Sequence, residues 1–95
     1  MAVKSTHVSA SGPITSSGVP CKVLAVMGLG GASAGSVTLK DGGSGGTAKD
    51  TIDAPANGFF STKIPGGGRN YSTDCYATLN STAPVGVTVF YEDFT

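Results

Sequence analysis

His7, the cysteines Cys21 and Cys75, and the carboxylates Asp41, Asp50, Asp53, Asp74, Glu92 and Asp93 are the side chains here that acid–base, nucleophilic or metal chemistry would draw on. One histidine and two cysteines give no spacing that resembles a structural zinc site, which needs four ligands. A Ser-His-Asp arrangement would have to use His7, close to a terminus, although a general base must be held rigidly between its nucleophile and its orienting acid. The carboxylates offer no acid/base pair: Glu92 and Asp93 stand beside the C-terminus, and the set reads as solvated charges. On these grounds the sequence assigns no catalytic residue, no metal ligand and no cofactor.

Two glycine-rich runs invite a binding role and lack the residues for it. Gly28-Leu29-Gly30-Gly31-Ala32-Ser33 follows an apolar strand as a dinucleotide loop would. A serine stands where the third glycine belongs, and the next segment reads as a strand, without the helix N-terminus that holds a pyrophosphate. Gly42-Gly43-Ser44-Gly45-Gly46-Thr47 begins like a calcium-binding nonapeptide, but Thr47 replaces the aspartate and the unit occurs once, whereas such units bury their faces only by stacking. Tyr71, Tyr76 and Tyr91 supply rings with polar ends that would suit a carbohydrate platform, although Tyr91 shares the phase of an apolar strand face and the chain has no tryptophan.

These residues must be positioned by one small domain. The chain has 95 residues, 15 of them glycine, with 13% charged residues and 39% hydrophobic ones. At this size roughly 60–65% of the unfolded surface is buried, so the fold gains from a partner surface, and a separate substrate domain is excluded. Six basic and six acidic residues cancel to zero formal charge, which removes the electrostatic footprint of a nucleic-acid binder. No signal-peptide core occurs in the first thirty residues, and the longest apolar run, Val23 to Met27, falls far short of the roughly 20 residues of a membrane helix. The expectation is a cytoplasmic product with buried free thiols at Cys21 and Cys75 and no membrane partner.

Strand-like runs recur between Gly, Pro, Asn and Asp clusters at the spacing of an all-β sandwich or barrel. Pro20 to Met27 carries apolar residues on both faces, with Cys21, Val23, Ala25 and Met27 in one phase, and predicts a central strand covered on both sides. Ser36 to Lys40 alternates with Val37 and Leu39 inward, and the charges of Thr47 to Asp53 suit an edge strand. The Asp41 to Gly46 run between them reads as a flexible hairpin connection. Phe59 to Ile64 places Phe60 and Ile64 opposite Phe59; Tyr71 to Leu79 reads as one strand, and Val85 to Tyr91 as the strongest. Thr6 to Ala10 and Pro13 to Thr15 add short strands or an arm. The fold class is therefore all-β, a compact antiparallel β-sandwich or jelly-roll-like barrel of seven to eight short strands. Residues 1–18 form a flexible N-terminal arm or short edge strand, and residues 19–95 a single domain.

The low charge, the strand Cys21-Lys22-Val23-Leu24-Ala25-Val26, the segment Gly35-Ser36-Val37-Thr38-Leu39-Lys40-Asp41-Gly42 and the terminal Gly86-Val87-Thr88-Val89-Phe90-Tyr91-Glu92 together carry a likeness over residues 19–92. In these features the chain resembles the small all-β structural proteins of tailed bacteriophages. The resemblance implies a non-enzymatic virion component assembled in the host cytoplasm: a head decoration (cement) protein that binds the major capsid protein or another virion protein, as a homo-oligomer with a trimer favoured. It leaves open a head–tail accessory role or a fibre or tail module binding host glycans, and it transfers no residue role. The expected interface residues are Phe59 and Phe90, which face away from the presumed core, and Gly30 and Gly67 in glycine-rich loops.

Overall fold

The protein is described by a computed structural model over residues 3–80 and 86–93. Among these residues it is nearly all β, with nine strands, one 3₁₀ turn at Pro65–Gly67 and no α-helix. The strands are β1 (Val3–Val8), β2 (Gly12–Pro13), β3 (Cys21–Leu29), β4 (Gly35–Asp41), β5 (Thr47–Ala54), β6 (Phe59–Lys63), β7 (Arg69–Tyr71), β8 (Tyr76–Asn80) and β9 (Gly86–Asp93). They form two antiparallel sheets. Sheet A runs β1-β9-β3-β6, with β7 also on β3, and sheet B runs β2-β8-β4-β5.

The pairing is nested. β4 and β5 form the innermost hairpin, β3 pairs with β6 and β7, β2 with β8, and β1 with β9. A long antiparallel ribbon has been folded over, and the additional pairings β3·β9 and β4·β8 close it into two sheets. The inward residues of both sheets meet in one apolar cluster, in which Val23, Val26, Val37, Leu39, Val87 and Val89 are fully buried. Each such aliphatic side chain contributes roughly 1.5–3 kcal/mol relative to exposure.

The structure departs from the sequence expectation in two strands. Along β3 the alternation breaks at Leu24, where the register against β9 slips by one residue. Cys21 and Val23 face the core, but beyond the bulge it is Val26 that does so, and Met27 and Leu29 are turned outward. β3 is central, as its apolar content suggested, but among the described residues only one of its faces is covered. Residues 71–79 do not form one strand either. β7 ends at Tyr71 in sheet A, and β8 begins at Tyr76 in sheet B, so Ser72 to Cys75 carries the chain from one sheet to the other.

Elsewhere the patterns and the elements coincide. β5 lies at the edge of sheet B, Phe60 and Ile64 are buried opposite an exposed Phe59, and Val87, Val89 and Tyr91 share the inner face of β9. Val85, assigned by its phase to the same strand, lies outside the described residues. Val3–Val8 is an edge strand of sheet A, and His7 is thereby fixed in a β-ladder opposite Thr88.

Candidate functional site

The outer faces of the two sheets differ in kind. On sheet B the outward positions of β4, β5 and β8 are Ser36, Thr38 and Lys40, Thr51 and Asp53, and Tyr76 and Thr78, with the Thr38 and Thr51 hydroxyls 3.5 Å apart. On sheet A the outward positions include Met27 and Leu29 of β3, Phe59 of β6, Phe90 of β9 and Val3 of β1. Phe59 is 85% exposed, Met27 44% and Leu29 42%. The one-residue bulge at Leu24 is what creates this surface, because it moves Met27 and Leu29 to the side of the sheet on which Phe59 already stands.

A groove of about 350 Å³ crosses this face, lined by His7, Thr88, Met27, Leu29, Phe59 and the backbone of Gly86. The His7 ring forms its polar wall, with Nδ1 2.9 Å from the Thr88 hydroxyl. The ring lies so close over Gly86 that a Cβ there would come within 2.9 Å of it. Beneath the apolar wall, Gly28 faces inward, where a Cβ would stand 2.7 Å from the Phe60 ring; the missing side chain lets Phe60 fill the core under the groove. Among the described residues the hydrogen-bond partner of His7 is a hydroxyl and no carboxylate orients the ring, so there the groove offers apolar area with one polar edge and no assembled acid–base pair. Among the described residues no three of His, Cys, Asp and Glu are grouped to hold a metal ion.

The expected interface residues fall in different places. Phe59 stands at the rim of the groove, and Phe90 is half-buried on the same outer face, opposite Ser5 and Ala25. Gly67 is exposed in the Pro65–Gly67 turn. Gly30 is buried: its N–H donates to the Gly58 carbonyl at 2.7 Å, and a Cβ on it would lie 1.7 Å from the Pro55 carbonyl oxygen. It is packed against the chain's own 55–58 turn and is not available to a partner. Two of the three tyrosines are likewise withdrawn. Tyr71 is fully buried and donates its hydroxyl to Asp50 at 2.6 Å, and Tyr91 is buried with its hydroxyl 3.3 Å from that of Thr6.

The carboxylates are not the solvated set that the sequence suggested. Asp41 accepts hydrogen bonds from the backbone N–H groups of Ser72 (3.0 Å), Thr73 (2.9 Å) and Asp74 (3.3 Å) and from the Ser72 hydroxyl (3.1 Å). Burial pushes its carboxyl up, but these donors outweigh burial and hold it below the usual carboxylate range. Asp74, only 6% exposed, reaches back to accept from the N–H groups of Gly18 (3.0 Å), Gly42 (3.2 Å) and Gly43 (2.9 Å). The two aspartates clamp three connections to one another: the loop before β3, the β4–β5 hairpin and the sheet-crossing segment. Asp50 ties β7 to β5 through Tyr71 and through Arg69, whose Nε donates at 2.9 Å, while Asp93 pairs with Lys4. Asp41-Gly42-Gly43 and Ser72-Thr73-Asp74 are turn-forming combinations, but the N–H groups their aspartates take up lie 31 to 56 residues away, which no local pattern signals. Comparison with protein-family models, with curated proteins and with solved structures gives no match.

Proposed function

We propose that this chain is a non-enzymatic structural module, a jelly-roll β-sandwich that acts by docking the outer face of sheet A onto other subunits, in the manner of a capsid decoration protein. The order β1-β9-β3-β6 over β2-β8-β4-β5 supports the jelly-roll reading, since it is the order obtained by rolling a ribbon of four nested strand pairs, with β7 as a short addition. Jelly rolls recur in viral capsid and lectin domains. The observation that carries the docking reading is the exposed apolar ridge of Phe59, Met27 and Leu29 on the outer face of sheet A. Burying one phenylalanine side chain is worth roughly 1.5–3 kcal/mol, and repetition over a symmetric lattice multiplies weak contacts of this size. The virion setting rests on the resemblance of residues 19–92 to small phage structural proteins.

The test is light scattering across a concentration series, followed by cosedimentation with assembled heads of the phage that encodes the chain. The expected result is an oligomer, with a trimer favoured, that binds heads, together with a Phe59→Ser variant that keeps its β circular dichroism and loses both properties. A protein that is monomeric at every concentration and ignored by heads overturns the proposal. The glycan-binding reading retains one favourable feature, the aromatic Phe59 beside the polar His7–Thr88 edge of the groove. Binding on a glycan array that Phe59→Ser abolishes would replace the docking reading with that one.

A further inference from the structure

Cys21 and Cys75 stand together in the core. Cys21 is the first residue of β3 in sheet A, opposite Tyr71 and Asp93, and Cys75 immediately precedes β8 in sheet B. Both are fully buried free thiols of the same core cluster, and each is the chief influence on the other's ionisation. The backbone of Cys75 is fixed on both of its polar groups: its N–H donates to the Thr15 hydroxyl at 3.0 Å, and its carbonyl accepts from the N–H groups of Ile14 (2.8 Å) and Thr15 (3.2 Å). The Thr15 hydroxyl that holds Cys75 also donates to the Val19 carbonyl at 2.8 Å, two residues before Cys21, so the two cysteines are held at one place in the core, and a disulfide between them asks for Cα atoms about 4.4–6.8 Å apart.

We propose that Cys21 and Cys75 are an oxidisable pair that closes into an intramolecular disulfide joining the two sheets. The oxidant is a small-molecule disulfide. The Cys21 thiolate attacks one of its sulfurs and releases the first small thiol; the Cys75 thiolate then attacks the Cys21 sulfur and releases the second. Two protons and two electrons pass from the cysteine pair to the small disulfide, which leaves as two thiols. The neighbouring Cys75 lowers the Cys21 thiol, whereas Cys21, and then burial, push Cys75 up, so Cys21 is the first nucleophile. Because both sulfurs are closed off from solvent, exchange takes place when the crossing segment opens or while the chain folds. A cleft of about 250 Å³ lined by Pro13, Thr15, Ser17, Gly43, Asp74 and Tyr76 has Cys75 in its wall. This inference stands apart from the docking proposal, since neither cysteine lies on the outer face of sheet A.

The reduced protein is refolded from urea with oxidised glutathione and examined by intact mass, by peptide mapping and by urea titration. The expected product is a monomer lighter by two hydrogens, with residues 5–22 and 70–95 joined after tryptic cleavage and a urea midpoint above that of the reduced protein until reductant restores it. The folded reduced protein is expected to react with Ellman's reagent far more slowly than the unfolded chain. A refolded product carrying a glutathione adduct, a disulfide-linked dimer, or an intramolecular bond that lowers the urea midpoint overturns the proposal. The wild-type mass decides the matter whether or not Cys75→Ser folds; if that variant does fold, it must accumulate no intramolecular bond.

Discussion

Replacing Asp74 by alanine tests whether the aspartate clamp holds the loops together. Its carboxylate accepts three backbone N–H groups, from Gly18 and Gly42, which are exposed, and from Gly43, which is half-buried. A hydrogen bond to a charged group is worth about 1.5–3 kcal/mol, but water reaches these donors once the carboxylate is gone, so roughly 1 kcal/mol per bond is the appropriate figure. Relief of repulsion from the neighbouring Asp41 trims the sum. Asp74→Ala is therefore expected to cost about 2–3 kcal/mol, against a total of about 5–14 kcal/mol for a domain of 95 residues. At this chain length that is a fall in melting temperature of roughly 8–24 °C. Asp74→Asn should lie between: its amide oxygen, placed at Oδ1, keeps Gly42 and Gly43, while its NH₂ group faces the N–H of Gly18 and loses that bond. Asp53→Ala, on the exposed face of β5, is the control and should stay within about 0.5 kcal/mol of wild type. Urea titration followed by circular dichroism reads all three. A loss below about 1 kcal/mol for Asp74→Ala, or one no larger than that of the control, refutes the clamp as a stabilising element.

Asp41 should contribute to the acid limb of the stability curve. Its carboxyl is held below the usual range in the fold, so its contribution is fully present above the unfolded value near 3.9 and is lost as pH falls through the lower folded value; Asp41→Asn should flatten urea midpoints measured across that window. Tyr71→Phe removes the 2.6 Å bond to Asp50 and leaves that carboxylate with Arg69, so a loss of about 1.5–2 kcal/mol is expected in the same titration, and a neutral result would mean that Asp50 is equally well served by water. Gly30→Ala demands that the Pro55 carbonyl move away from a Cβ placed 1.7 Å from it, at a cost of about 3 kcal/mol or more, visible as a lower melting temperature or as loss of soluble protein.

The legible parts of the fold were those in which burial and alternation coincide. Val37 and Leu39 on β4, Phe60 on β6 and Val87 and Val89 on β9 repeat with the period of a half-buried strand, and all of them lie in the core. β3 was legible only up to Leu24. A bulge adds one residue without altering composition, so the alternation Cys21, Val23, Ala25, Met27 continues smoothly through a point at which the backbone changes phase. The break between Tyr71 and Tyr76 was hidden for a related reason. Ser72, Thr73 and Asp74 suit a polar strand face as well as they suit a turn, and what decides between the two is Asp41, some thirty residues away in sequence, taking their N–H groups. Asp74 looked like a surface charge because a carboxylate buried by its own hydrogen bonds carries no local signature.

The same bulge connects the fold to its surface chemistry. Had β3 kept its phase beyond Val23, Ala25 and Met27 would face the core and Val26 the solvent, and the outer face of sheet A would present a single β-branched residue between Thr88 and Ser61. Shifting the strand by one residue places Val26 inside with Val89, sends Met27 and Leu29 out beside Phe59, and brings Gly28 in beneath Phe60, where a larger residue would not fit. The inner gain is one fully buried valine, and the outer consequence is a patch that a small, marginally stable domain would not otherwise expose. Sheet B shows the alternative within the same chain: β4 and β5 also contain a register shift, between Leu39 and Lys40, yet their outer face holds threonines, serine and charges. The chain thus keeps one sheet polar where a bulge is tolerated and leaves the other apolar where a bulge exposes it, which is the distribution expected if sheet A, and not sheet B, is the face that a partner covers.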